Sequence, residues 1–139
     1  IVHRNGATPA GKGKLGVVPG SMGSPGFIVR GKGNAKSFNS CSHGAGRVMS
    51  RAAAFRTLKH ADMKKILKEQ GISLIGGTLD ESPEVYKDIN KVIDGQRDLV
   101  DVLAKFEPKL VRMAAEGNQW SNKKKKKKPE NKGDEDVCM

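Results

Sequence analysis

Glycine placement sets the first limit on what this chain can fold into. The glycines crowd into the first 46 residues, where they cut the apolar residues into short runs, Leu15 to Val18, Phe27 to Arg30 and Ser37 to Cys41. Between the runs stand G-S-M-G-S-P-G (Gly20 to Gly26) and G-K-G-N (Gly31 to Asn34). Gly, Pro, Ser and Asn are the residues of tight turns, and short apolar runs bounded by them predict β-strands.

From Arg47 the pattern changes. Arg47 to about Leu58 and Ala61 to Gln70 contain neither Gly nor Pro and predict two helices, with Gly71 as the stop of the second. Ile72 to Ile75 (I-S-L-I) predicts a short strand. Asp88 is placed to cap a last long helix, in which Ile89, Val92, Ile93, Leu99 and Leu103 recur near the helical period and Lys91, Asp94, Arg97 and Asp101 face outward. Pro108 ends that helix, and Leu110 to Met113 predicts a final strand. Strands first and helices after define an α+β class for residues 1–117. Residues 118–139, with the Lys123 to Lys128 run, hold too few apolar residues to fold and are expected to be a disordered tail. The lysine run suits a nuclear address, a loose RNA tether or a merely solvated tail.

Charge narrows the class of partner. Of the net +11, seven Lys against four Asp or Glu place +3 in residues 118–139 and leave +8 in residues 1–117, so the basic character is not confined to the tail. A polyanion is the expected partner, and nucleic acid is the commonest one. Only Cys41 and Cys138 occur, which argues against a disulfide framework and for a reducing compartment, cytoplasmic or nuclear. No apolar run reaches the roughly 20 residues that span a bilayer, and no membrane partner is expected. The sequence opens on I-V-H-R-N-G without an initiator Met, as a fragment of a longer chain would.

The most reactive-looking stretch is C-S-H-G-A-G-R, Cys41 to Arg47. Gly44 and Gly46 are free to take positive φ and Ala45 adds only a methyl, so a bulky group could sit against the backbone beside His43. The flanking patterns place His43 at a strand-to-helix turn, where helix N–H groups together with Arg47 and Arg51, one turn apart on one face, would favour a phosphate. A polar histidine in a glycine-rich turn fits the same residues.

H-R-N-G-A-T (His3 to Thr8), P-G-S-M-G (Pro19 to Gly23), C-S-H-G-A-G-R-V-M-S-R (Cys41 to Arg51) and P-E-V-Y-K-D-I (Pro83 to Ile89) follow one another here in the order and spacing of a known family. Residues 1–113 resemble the C-terminal third of the RtcB family of GTP-dependent RNA-splicing ligases. The resemblance implies the C-terminal portion of an RtcB-like ligase fold. It also implies an enzyme that joins RNA 3′-phosphate or 2′,3′-cyclic phosphate ends to 5′-hydroxyl ends through a histidine–GMP intermediate, as in tRNA splicing or RNA repair. By the same resemblance His43 is the nucleophile, and Pro19, Gly20, Ser21, Met22, Gly44, Ala45 and Gly46 line the GMP pocket. Tyr86 lies near the nucleotide, and Arg51 and Arg4 meet RNA phosphates. A further family serine falls on Gly26, and the lysine that recognises guanine falls on Met113, with Arg112 one place earlier. GTP and Mn²⁺ are the implied cofactors, with the metal ligands expected outside this chain and none within it. Archease is an implied partner. The other reading is a truncated, inactive remnant that acts at most as a basic RNA-binding module.

Overall fold

The computed structural model describes residues 1–113; the tail 118–139 and its lysine run lie outside the described residues. The first strands are β1 (Ala7–Pro9), β2 (Leu15–Val18), β3 (Gly26–Gly31) and β4 (Ser40–Ser42). β2 and β3 are the expected runs, and β1 was not expected, because A-T-P carries no strand signal of its own. The strand expected over Ser37 to Cys41 is displaced. Ala35–Ser37 forms a 3₁₀ turn, and Phe38 and Asn39 take φ of 53° and 52°, outside the extended region. Local polar bonds account for this: Asn34 Oδ1 accepts from Lys36 N at 2.9 Å, and Ser37 Oγ donates to the Asn34 carbonyl at 3.0 Å.

Helix α1 (Arg51–Thr57) starts at Arg51 and not at Arg47, because Ser50 is its N-cap and accepts from Ala53 N at 3.2 Å. Helix α2 (His60–Glu69) buries Met63 and Leu67, four residues apart on one face. β5 (Ser73–Ile75) follows, then two 3₁₀ turns at Leu79–Glu81 and Pro83–Val85. Asp88 caps α3 (Ile89–Asp94) as expected, accepting from Asn90 N at 2.9 Å.

The long helix does not form. α3 ends at Gly95, whose N–H donates to the Lys91 carbonyl at 3.1 Å, and Val100–Phe106 is strand β6. Ile28 pairs with Ala104 but Val29 pairs with Val102, so Leu103 has no partner and forms a bulge. The bulge breaks the two-residue alternation that would have marked a strand, and the four-residue step from Leu99 to Leu103 imitates a helix. A last strand, β7 (Leu110–Arg112), pairs in parallel with β5.

The sheets are β1–β4 and β2–β3–β6, both antiparallel, and the parallel pair β5–β7. The described residues are thus α+β, with strands and helices interleaved in the second half. Two apolar clusters hold them together. Val18, Phe27, Val29, Cys41, Ala45, Ile89, Ile93 and Val100 form the larger, and Met22, Met63, Leu67 and Ile72 the smaller. The other face of the three-stranded sheet shows Leu15, Val17 and Ile28 to solvent. Among the described residues, no helix is long and apolar enough to cross a membrane.

Candidate active site

His43 follows β4 directly, and the β1–β4 ladder fixes where it stands. Its N–H donates to the Gly6 carbonyl at 3.2 Å, and its Nδ1 lies 3.3 Å from Thr8 Oγ1, while the residue stays exposed. Because α1 begins only at Arg51, His43 is not at a helix N-terminus. The helix-borne anion site expected from the sequence is therefore absent, and Arg47 and Arg51 do not share a helical face.

Main-chain contact brings the glycine-serine loop to the histidine loop. Ala45 N donates to the Pro19 carbonyl at 3.1 Å. Gly44 is needed for that approach and not for a positive φ, since a Cβ there would lie 3.0 Å from the Pro19 oxygen. Gly46 does take the left-handed conformation, with φ 74°. Within the glycine-serine loop, a Cβ on Gly20 would meet the Pro25 carbonyl oxygen at 2.3 Å, and Ser21 Oγ bonds Ser24 Oγ at 2.8 Å. Met22 belongs to the smaller cluster and Ala45 to the larger, so each loop is anchored in a different cluster. Met113 packs on the Met22 cluster, its N–H donating to the Ile75 carbonyl at 2.9 Å. At Gly26 the Phe106 ring lies where a side chain would go, 2.3 Å from an added Cβ, so a serine there would displace it.

Tyr86 comes to the same loop from the other side. Lys87 N donates to the Gly46 carbonyl at 2.9 Å, Val48 N donates to the Val85 carbonyl at 2.8 Å, and Arg47 and Tyr86 form an antiparallel bridge. The Arg47 guanidinium carbon sits 5.5 Å from the Tyr86 ring centroid, a cation–π distance. Its Nε donates to the Met49 carbonyl at 3.2 Å, and its Nη2 is buried with no hydrogen-bond partner. A buried guanidinium nitrogen without a partner retains the capacity to donate to an anionic oxygen. Sequence reasoning named Arg47 only as a helical partner of Arg51 and did not foresee its contact with Tyr86.

The two arginines it did single out are engaged elsewhere. Arg51 Nε lies 3.4 Å from Asp80 Oδ2. Arg4 donates from Nε to Ser40 Oγ at 2.8 Å and from Nη2 to the Phe38 carbonyl at 3.1 Å, tying the first residues to the start of β4. Gln96, also missed, lies beneath the site. Its Oε1 accepts from Ser42 N at 2.6 Å, and its Nε2 donates to Ser42 Oγ at 2.9 Å and to the Val92 carbonyl at 3.1 Å. Cys41 is in the core, and burial pushes its thiol pKa up, which keeps it protonated and inert. Among the described residues no group of three or more His, Cys, Asp or Glu could hold a metal ion, so these residues do not by themselves fit manganese.

The structure thus brings together an exposed imidazole, two backbone-lined loops in contact and an open guanidinium nitrogen. The family model described as tRNA-splicing ligase RtcB matches residues 1–114, and the chain belongs to that family. It is 47% identical over 102 residues to RNA-splicing ligase RtcB1 of Escherichia coli, an overlap that covers 73% of this chain and 25% of that protein. It is also 35% identical over 132 residues to tRNA-splicing ligase RtcB of Nanoarchaeum equitans, covering 80% and 28%, and 40% identical over 112 residues to the Archaeoglobus fulgidus protein of the same name, covering 67% and 23%. The chain thus spans about a quarter of the length of the curated relatives it matches.

Proposed function

We propose that this chain is the nucleophile-bearing, C-terminal portion of an RtcB-like ligase fold and belongs to a GTP-dependent RNA ligase. The reaction joins RNA ends carrying a 3′-phosphate or 2′,3′-cyclic phosphate to ends carrying a 5′-hydroxyl. The observation that carries this reading is the hydrogen bond from Ala45 N to the Pro19 carbonyl, which unites the two loops of the nucleotide pocket beside an exposed His43.

The neutral His43 ring attacks the α-phosphorus of GTP through Nε2. The nitrogen lone pair becomes the N–P bond, and the bond to the leaving pyrophosphate breaks with its electron pair departing on pyrophosphate. Gly44, Ala45, Gly46 and the Pro19 to Met22 loop hold the nucleotide, and the open Arg47 Nη2 donates to a phosphate oxygen as charge builds. The RNA 3′-phosphate then takes GMP, returning the electron pair to Nε2. Finally the 5′-hydroxyl oxygen attacks the activated 3′-phosphorus, GMP leaves, and the hydroxyl proton goes to solvent. The protein's work in these last steps is positioning and charge stabilisation.

The test is labelling with [α-³²P]GTP and Mn²⁺ in a protein of the relatives' length that carries residues 1–113. A label that is acid-labile and alkali-stable, and is lost in His43→Ala, is expected. Label retained in His43→Ala removes His43 from its role. The present chain alone is expected to stay unlabelled, since its described residues do not complete a metal site. The net charge of +11 favours a second reading, a basic module that binds RNA without reacting. RNA binding by a relatives-length protein that never labels would select that reading.

A further inference from the structure

A neutral imidazole carries one proton on two nitrogens, and only the nitrogen without it has a lone pair to offer. In this chain the two nitrogens of His43 are not equivalent. Nδ1 lies 3.3 Å from Thr8 Oγ1, and the His43 main chain is held by the Gly6 carbonyl of the same N-terminal segment.

Thr8 is itself oriented. It sits in β1 opposite Cys41, one pair back from the Ala7–Ser42 pair that precedes His43. Its methyl packs toward β2, with Cγ2 lying 3.6 Å from where a Cβ on Gly16 would be. A β-branched side chain has little χ1 freedom, so seating the methyl on Gly16 fixes the direction of the hydroxyl. That hydroxyl faces His43.

We infer that Thr8 is a positioning residue that holds His43 in the Nδ1–H tautomer by accepting its proton in a hydrogen bond, leaving the Nε2 lone pair free for attack. The functional meaning of that tautomer rests on the reading of His43 as the nucleophile; the tautomer itself does not. The opposite arrangement, Thr8 donating to Nδ1, would put the proton on Nε2 and leave that nitrogen without a lone pair to offer.

Nitrogen-15 NMR of the 139-residue chain labelled in histidine reads the tautomer directly, at a pH where the ring is neutral. Wild type and Thr8→Ser, which keeps the hydroxyl, are expected to populate mainly Nδ1–H. Thr8→Val keeps the methyl and the volume but removes the hydroxyl, and is expected to shift the ratio about fivefold toward Nε2–H, the scale of one ordinary net hydrogen bond. A wild-type His43 that is mainly Nε2–H overturns the inference whatever the variants do, as does a Thr8→Val ratio equal to wild type. In the relatives-length protein, Thr8→Val is expected to slow GTP labelling at unchanged KM for GTP, and Thr8→Ser to restore it. A Thr8→Val protein that labels at the wild-type rate removes the positioning role. A wild-type protein that never labels, with His43 still held as Nδ1–H, overturns the ligase reading and leaves the Thr8–His43 bond standing.

Discussion

Gln96 ties the strand that leads into His43 to the turn after α3, and its removal has a calculable local cost. The side chain is only 7% exposed, and it makes three hydrogen bonds, two of them to Ser42, the residue before His43. In Gln96→Ala the Ser42 N–H is left without its acceptor in a part-buried position. An orphaned buried donor costs about 1–3 kcal/mol, so about 2 kcal/mol is a fair figure for the loss of local stability. At 1.4 kcal/mol per factor of ten, that becomes a roughly 30-fold fall in amide exchange protection at Ser42. Hydrogen exchange followed by NMR measures it residue by residue. The Gln96→Met variant separates bonding from volume, because methionine fills similar space without replacing the lost acceptor and donors. Both variants should lose protection at Ser42 and its β1 partner Ala7 to a similar degree, while α2 keeps its own. Full protection at Ser42 in Gln96→Met would show that volume, and not hydrogen bonding, supports the strand.

Other changes act at separate points. Gly44→Ala should open the contact between the two loops, because its Cβ would press on the Pro19 oxygen at 3.0 Å; in a relatives-length protein a KM for GTP raised several-fold checks this, and an unchanged KM would contradict it. The Asp88 cap should weaken in acid: hydrogen bonds from Asn90 N and then from the Asn90 side chain hold its carboxyl below the ordinary 3.8. Its contribution is therefore complete above the unfolded value and lost as pH falls through the lowered folded one, which amide exchange at Asn90 across that range would follow. Cys41 should resist alkylation in a Cys138→Ser chain until denaturant is added, since burial both shields the thiol and raises its pKa; fast labelling of the native chain would contradict that.

The parts of the fold that could be read from sequence are those governed by neighbours along the chain. The runs at β2 and β3, the α2 helix with Gly71 just after it, and the Asp88 cap each follow from local chemistry. The errors share a cause in partners far away. β6 looked helical because its bulge opposite Ile28 and Val29 erased the strand alternation, and only pairing with β3 makes it a strand. Arg47 to Met49 looked helical because nothing local announces the bridge to Tyr86. The His43, Pro19 and Tyr86 phrases were visible through their wording, and the contacts among them were not. Nothing local announced the roles of Gln96, which fell inside the expected long helix, or of Thr8, which stood only as the last residue of the H-R-N-G-A-T phrase; both depend on β4 being laid against them.

The Ser42–Gln96 bonds also bear on the timing of synthesis. A ribosome releases the chain from its N-terminal end at about 5–20 residues per second. The β1–β4 ladder and the His43 turn therefore emerge early, but the residue that buttresses them comes 54 positions after Ser42. Tyr86, which closes the other side of the turn, is also late. For the seconds in between, the nascent chain has its histidine in solvent, without the contacts that later surround it. Competence then arrives in one late step as the Tyr86 to Gln96 segment docks, so a polypeptide interrupted before that segment would carry every residue of the H-G-A-G turn and still lack the shape that turn needs.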